Sequence, residues 1–192
     1  MSFVPYTFTE KTISGKVNEY SFMDKLMNIS VGVELRRPTR PQWQQLAKLR
    51  GDFTPYYYTS YAVGMTMPQQ LNRPTSRRPG FITGAAVGRQ FSPLSGFRLG
   101  LDFNNAATRL ADAKVDRYTF TSLSLDYMFD ISNWVIGYDP ERKFGTEVFA
   151  GPVITHRFEP GKTYLGGEGG VRPYWRLGEQ FDVFAESKLR LY

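Results

Sequence analysis

The chain has 192 residues, a length that suits a single domain, and it contains 12 Tyr, 15 Phe and 3 Trp. It has no Cys, so disulfides contribute nothing to its stability, and its one His leaves little scope for a metal site. The net charge of +6 is modest and the Lys and Arg residues are scattered, which argues against a dedicated nucleic-acid surface.

The N-terminal region shows no firm hydrophobic period. Residues 1–20 are polar with scattered aromatics, and we interpret residues 1–26 as a loop or an irregular strand. The start of the chain lacks a basic segment followed by an apolar core, so it is not a signal peptide. No run approaches the roughly 18 apolar residues that a membrane helix needs. This pattern is that of a cytosolic chain, or of one that has been processed or truncated.

Two strands with one apolar face are predicted in the next part of the chain. Residues 27–36 alternate strictly between apolar and polar side chains, and residues 56–67 place tyrosine, valine and methionine on one face. The connector 37–55 contains the segment PQWQQLAKLRG. Its initial Pro and final Gly predict a short helix over 41–51.

Two further strands follow a loop that is rich in Pro, Arg, Asn and Ser. Residues 81–90 form a strand with several small side chains, and residues 96–104 show the clearest alternation in the chain. In 96–104, Phe and Leu side chains alternate with Arg, Gly, Asp and Asn. Residues 105–115 predict a polar loop, although AATRLADAK could also wind briefly into helix.

The stretch 116–157 carries the most informative pattern. A strand that ends at Phe129 has an apolar face and a polar face, and a second strand covers 144–157. The connection 130–143 is expected to be structured, with turn residues Gly, Asp and Pro. Two more strands, 163–177 and 181–192, flank a tight turn and complete the prediction.

The sequence therefore predicts an all-β fold of about eight antiparallel strands in a single domain over 1–192. Such spacing suits a sandwich or an up-and-down barrel. Strands of about ten residues match the roughly 9–11 residues that a transmembrane strand needs. The polar face carries charges of both signs at similar depths: Glu34, Arg98, Asp102, Asp126, Glu147, Glu168, Arg172, Asp182, Glu186, Lys188 and Arg190.

The same alternation also fits a soluble, lipocalin-like ligand-binding barrel with its apolar side inward and its charges in water. Two features favour the membrane version. Glycine and other small residues share the polar face, which suits a crowded lumen, and the apolar face lacks charge almost throughout, which suits lipid. The expected fold is therefore an antiparallel up-and-down transmembrane β-barrel.

Three segments carry a resemblance to a known family: FSPLSGFRLGLDF, LSLDYMFDISNWVIGYDPERKF and RPYWRLGEQFDVFAESKLRLY. They resemble the barrel of OmpA-like outer-membrane proteins of Gram-negative bacteria. The likeness covers residues 80–192, and its middle segment is the most specific. It implies a membrane-embedded barrel that is often structural, sometimes a small pore or a subunit of a larger envelope complex. It supplies no catalytic residues.

The sequence departs from that family in two respects. Tyr192, the final aromatic, falls on the face of Lys188 and Arg190, whereas such barrels usually end with an aromatic on the apolar face. The short connections also lie at one end, so both termini would point outward if that end is periplasmic. The alternatives are that the chain is a fragment or that its strands are part of a larger barrel.

The lumen is predicted to be closed by paired charges, because an unpaired buried charge costs several kcal/mol. The predicted network comprises Arg98, Asp102, Asp126, Glu147, Glu168, Arg172, Glu186 and Arg190. The connection 130–143 is predicted to form an ordered cap on the barrel rim. Trp134 and Tyr138 in it, together with Trp175, are predicted to lie at the lipid–water interface.

Catalysis is not expected. His156 could serve a lipid-hydrolysing site at a barrel rim only with a nucleophile and an orienting acid beside it, and no Ser is suitably placed. No metal or other cofactor is predicted. The expected function is that of a structural or scaffolding outer-membrane barrel, a subunit of a cell-envelope complex whose signal peptide has been removed. Its expected partners are outer-membrane lipids, lipopolysaccharide and other outer-membrane proteins. The alternatives are a narrow pore and the soluble ligand-binding barrel.

Overall fold

The fold is an antiparallel barrel of eight strands that closes on itself. The computed structural model describes residues 7–11, 17–21, 25–38, 52–69, 77–109, 115–158 and 161–192. The barrel strands run in chain order around the ring and have these bounds: β3 Lys25–Pro38, β4 Tyr56–Gln69, β5 Arg77–Gln90, β6 Ser95–Arg109, β7 Val115–Asp130, β8 Phe144–Arg157, β9 Lys162–Arg176 and β10 Phe181–Leu191. This confirms the predicted all-β, up-and-down barrel.

A separate two-stranded sheet precedes the barrel in the chain. It pairs β1, Thr7–Lys11, with β2, Val17–Ser21, in antiparallel fashion. The sequence predicts a loop or an irregular strand here. Each strand is only 5 residues long, which is too short for alternation to stand out from scattered aromatics.

The ring closes where β10 pairs with β3 over eleven residue pairs, from Phe181 opposite Leu35 to Leu191 opposite Lys25. A closed ring has no edge strand, so each strand pairs with a neighbour on both sides. The closure overturns the alternative that these strands are part of a larger barrel. That register joins strands far apart in sequence, and no local pattern encodes it.

The two ends of the barrel differ. At one end, which we call the helix end, lie the short turns 91–94 and 177–180 and the single-turn helix α1, Ile131–Ile136. At the other, the terminal end, β3 begins and β10 ends. Within the described residues, no helix is long and apolar enough to cross a membrane.

Several boundaries differ from the predicted ones. The barrel strands are 11 to 16 residues long, and residues 106–109, expected in a polar loop or brief helix, extend β6. Pairing with β7 supplies their backbone hydrogen bonds, and this tertiary pairing overrides the helix propensity of Ala and Arg, which are good helix formers. The helix predicted over 41–51 lies outside the described residues.

The faces of the strands follow the predicted alternation. On β6, Leu99 and Leu101 are exposed on the outer surface, whereas Arg98 and Asp102 are buried inside. Because the period of a strand is two, the whole apolar set of each strand faces one way once its register is fixed. The result is a barrel whose interior is polar and whose exterior is apolar.

Candidate functional site

Two networks of ionic side chains fill the barrel interior. The first, here the helix-end network, consists of Asp182, Arg36, Glu34, Arg172 and Glu147. Arg36 contacts both Asp182 and Glu34. The guanidinium of Arg172 lies 2.5 Å from Glu34 Oε2 and 3.4 Å from Glu147 Oε2. Each carboxylate in it therefore has a guanidinium partner, as burial of charge requires.

The second network, here the terminal network, lies further toward the terminal end. Its members are Asp126, Arg98, Glu186, Lys188, Asp102, Arg190 and Glu168.

Contacts within the terminal network form a continuous chain across the barrel. Arg98 donates to Asp126 through Nε at 3.0 Å and Nη2 at 2.8 Å, and it also contacts Glu186. Lys188 Nζ lies 3.1 Å from Glu186 Oε1 and 2.8 Å from Asp102 Oδ2. The chain continues from Asp102 to Arg190, whose Nε donates to Glu168 at 2.6 Å.

The structure brings all eight residues of the predicted network into the interior. Glu147 and Arg172 belong to the helix-end network, and the other six to the terminal network. The two networks also contain four residues that the predicted network lacks: Glu34, Arg36, Asp182 and Lys188. The signal for these four was present, since each sits on the polar face of its strand.

Aromatic rings in the interior lie over glycines of the neighbouring strand. The register places each ring directly opposite its glycine: Phe184 and Gly32, Tyr58 and Gly88, Tyr174 and Gly145, and Phe149 and Gly170. A Cβ on Gly170 would lie 2.6 Å from the tip of the Phe149 ring. Only glycine leaves room for these rings, so the inward glycines serve packing.

The same rings support the buried cations. The guanidinium carbon of Arg172 lies 3.9 Å from the centroid of Phe184, and that of Arg98 lies 4.3 Å from the centroid of Phe149. Desolvated cation–π contacts of this kind are worth about 2 kcal/mol. A small pocket beside Arg98 has a volume of about 30 Å³, enough for about one or two water molecules.

An apolar cluster closes the interior at the terminal end. Leu26 and Phe120 are buried against each other, and Tyr192 packs on them. The Tyr192 hydroxyl is 2.7 Å from Thr155 Oγ1, which in turn is 2.8 Å from Ser122 Oγ. The final aromatic therefore faces inward, as its parity indicates.

Helix α1 begins the cap on the opposite rim. Asp130 caps its N-terminus by accepting a hydrogen bond from the Asn133 amide at 2.8 Å. Gly137 ends it with a φ of 88°, a conformation that L side chains rarely adopt. Asn133 Nδ2 donates to the carbonyl of Pro93 at 2.8 Å and Arg142 Nη1 donates to Asn133 Oδ1 at 2.9 Å. The connection is therefore pinned to the neighbouring turn 91–94.

The three predicted interfacial aromatics do not share one environment. Trp134 and Trp175 are exposed on the outer side, at 66% and 58% of their surface, and Trp134 lies 6.1 Å from the Phe129 ring. Tyr138 is half-buried instead. It lies over the barrel mouth, 5.5 Å from Phe53. The turn at Gly137 directs the chain inward there, and burial raises the pKa of the Tyr138 phenol.

A shallow cavity of about 120 Å³ occupies that mouth and opens to solvent. Tyr138 and Pro140 from the cap line one side, and Arg36, Tyr56 and Arg176 line the floor and wall. Arg176 Nη1 donates to the carbonyl of Pro140 at 3.1 Å, which ties β9 to the cap.

A continuous apolar belt covers the outside of the barrel. Every strand contributes large side chains that are 39% to 58% exposed, for example Val31, Tyr61, Phe81, Leu101, Leu125, Ile154, Val171 and Leu189. Soluble monomers rarely expose a contiguous apolar patch larger than a few hundred Å². An exposed apolar belt of this extent is not expected on a soluble monomer.

His156 lies near the terminal end of β8, where its Nδ1 is 3.0 Å from Thr163 Oγ1 and its ring packs edge-on against Phe158. Among the residues that the structure describes, no three His, Cys, Asp or Glu side chains are grouped so that they could hold a metal ion.

Comparison with known proteins finds no family model that matches the chain, and no curated protein or solved structure that matches it significantly. The resemblance to OmpA-like barrels therefore stays a prediction. The structure shows an eight-stranded, closed, antiparallel β-barrel.

Proposed function

We propose that this chain is a structural barrel of the bacterial outer membrane, with lipid around its apolar belt and a closed lumen. Its role would be that of an anchor or scaffold within a cell-envelope complex. The observation that carries the proposal is the inversion of the barrel: apolar side chains on the outside of all eight strands, and ionic networks within.

The inversion favours a lipid surrounding over water. A soluble, lipocalin-like barrel would need an apolar interior to hold its ligand and a polar exterior to stay dissolved. Here Arg172 and Arg190 are among the largest fully buried side chains, whereas Leu101 and Leu125 are 39% and 50% exposed. In lipid the same exposed side chains are in the medium that they prefer.

The filled interior favours a structural barrel over a narrow pore. The side chains of Arg98, Arg172 and Arg190 cross the lumen to partners on other strands, and the Leu26–Phe120–Tyr192 cluster closes one end. An eight-stranded barrel is just wide enough for its side chains to fill it. The OmpA-like resemblance supports the same reading and, with it, outer-membrane lipids, lipopolysaccharide and other membrane proteins as partners.

The test has two stages, carried out on the purified full chain. Refolding in the presence of phospholipid vesicles, followed by flotation on a density gradient, should bring the protein to the top with the lipid. Vesicles that carry it, fused to a planar bilayer, should then show no steady ohmic current, as expected for a lumen that the ionic networks and the apolar cluster fill.

Flotation serves as the control for the electrical measurement, because a silent bilayer means a closed lumen only if the protein is inserted. A protein that stays dissolved and monomeric without detergent would contradict the membrane proposal. Steady current through a bilayer with inserted protein would instead support the narrow-pore alternative and overturn the closed lumen.

A further inference from the structure

The outer rim of the barrel at its helix end is mostly aromatic. Outward-facing rings on six strands lie there: Tyr57, Phe97, Tyr127, Phe144, Trp175 and Phe181. Aromatic girdles of this kind mark the interfaces of membrane barrels. On the described strands, two outward residues of this rim are cations instead, Arg37 on β3 and Arg89 on β5.

These two arginines flank one tyrosine of the girdle. Arg37 is opposite Tyr57 in the pairing of β3 with β4, and Tyr57 is opposite Arg89 in the pairing of β4 with β5. Neighbouring strands are about 4.8 Å apart, so the backbones of the two arginines are about 10 Å apart with the tyrosine between them. The guanidinium carbon of Arg89 lies 5.2 Å from the centroid of the Tyr57 ring.

The chemistry of this triplet suits a phosphate group. A guanidinium binds phosphate oxygens with paired N–H donors, and stacking on a ring occupies its face rather than its N–H edge. Two such groups, in register on either side of a tyrosine, can supply donors from three side chains to one tetrahedral anion. All three side chains are exposed on the outer surface.

The position of the triplet relative to the apolar belt identifies the source of the phosphate. On β3, Leu35 precedes Arg37 on the outer face, and on β5, Val87 precedes Arg89; Leu35 and Val87 are 51% and 53% exposed. Both arginines are thus the first cations beyond the belt. A molecule bound there by its phosphate has an apolar surface directly beneath it. Acyl chains can pack on that surface, whereas a free inorganic anion has no apolar part to place there.

We propose that Arg37, Tyr57 and Arg89 form a binding site for the phosphate headgroup of an anionic lipid. The site rests on the proposed membrane function, which it makes specific: lipid is held at one place on the rim rather than around the girdle uniformly. Cations near an anionic membrane surface attract it through the same electrostatics, but two arginines in register on either side of one tyrosine add a fixed spacing.

The test reports on which lipid lies next to the triplet. Phe97 is outward-facing and lies opposite Arg89 in the pairing of β5 with β6, so Phe97→Trp places a fluorophore beside the site. Trp43, Trp134 and Trp175 are replaced by Phe in the same chain. The protein is reconstituted in phosphatidylcholine vesicles in which a small fraction of either phosphatidylglycerol or phosphatidylcholine carries brominated chains that quench tryptophan.

The apparent association constant next to this tryptophan should be about fivefold or more higher for brominated phosphatidylglycerol than for brominated phosphatidylcholine. A fivefold preference corresponds to the attraction of one cation for an anionic surface. The Arg37→Gln/Arg89→Gln variant should reduce that ratio to near one. Lys25→Gln/Lys143→Gln is the matched control, because it removes two cations elsewhere and should leave the ratio unchanged.

Quenching by brominated phosphatidylcholine shows in every variant that this tryptophan lies in the bilayer. A ratio near one in the parent chain, or an equal drop in the control variant, would overturn the site and leave the membrane proposal standing. The absence of quenching by both brominated lipids in the parent chain would overturn the membrane proposal and the site with it.

Discussion

Replacement of Arg190 by Met is expected to lower the free energy of unfolding by about 3–5 kcal/mol, the cost of removing one partner from a buried ionic network. Arg190 is fully buried and contacts both Asp102 and Glu168. The substitution leaves both carboxylates in the interior without this guanidinium. Met fills most of the volume of the Arg side chain, so only part of the loss comes from an empty cavity.

The loss is measured by urea unfolding of the protein in one lipid or neutral detergent, followed by tryptophan fluorescence. Lys143→Met is the control, because Lys143 is an exposed cation of the connection after α1 and its removal should cost less than about 0.5 kcal/mol. Adding Glu168→Gln to Arg190→Met should recover part of the loss, since one uncompensated charge is removed. Equal costs for Arg190→Met and Lys143→Met would show that the interior network does not stabilise the barrel.

A charge placed on the belt should also have a large effect. Leu101 faces outward near the middle of β6, between Ala85 and Leu123 on the neighbouring strands. Leu101→Arg is expected to cost about 2–4 kcal/mol in a bilayer, because it forces a guanidinium into hydrocarbon near the midplane. The measurement is the unfolding free energy in vesicles of defined lipid.

Asn105→Arg is the matched control on the same outward face of β6. Asn105 lies closer to the terminal end, where the cost of an arginine falls to about 0–1 kcal/mol. In a barrel surrounded by water, both substitutions would replace one exposed side chain by another and change stability by about 0.5 kcal/mol or less. A small and equal cost for the two variants would therefore contradict a lipid-facing belt.

The faces of the strands were predictable from the sequence because they depend on local alternation alone. Arg98 and Asp102 alternate with Leu99 and Leu101, and a period of two admits one arrangement once one face is buried. Lys188 follows the same rule but is absent from the predicted network. Alternation places a side chain in the interior but does not say which residue it contacts.

Partners and closure were not predictable because they depend on the stagger of the whole ring. Arg172 and Glu34 are 138 residues apart in sequence, and Arg98 and Glu186 are 88 apart. Which charges meet across the lumen depends on strand tilt and register, which the pairings around the whole ring determine together with the closure of β10 on β3. The inward turn of Tyr138 has a similar origin, since one positive φ at Gly137 redirects the chain.

The central claim, that the apolar belt faces lipid, is tested most directly by spin labels on the outer face of a reconstituted barrel. Single cysteines for labelling replace Leu99, Leu101, Leu123, Leu125, Leu189 and Leu191 in turn, and a label at the exposed Lys143 serves as the aqueous reference. We expect the six belt labels to collide readily with oxygen, which concentrates in lipid, and rarely with a water-soluble nickel relaxant. The Lys143 label should show the reverse. Belt labels that collide with the nickel relaxant as often as the reference does would contradict a lipid-facing belt.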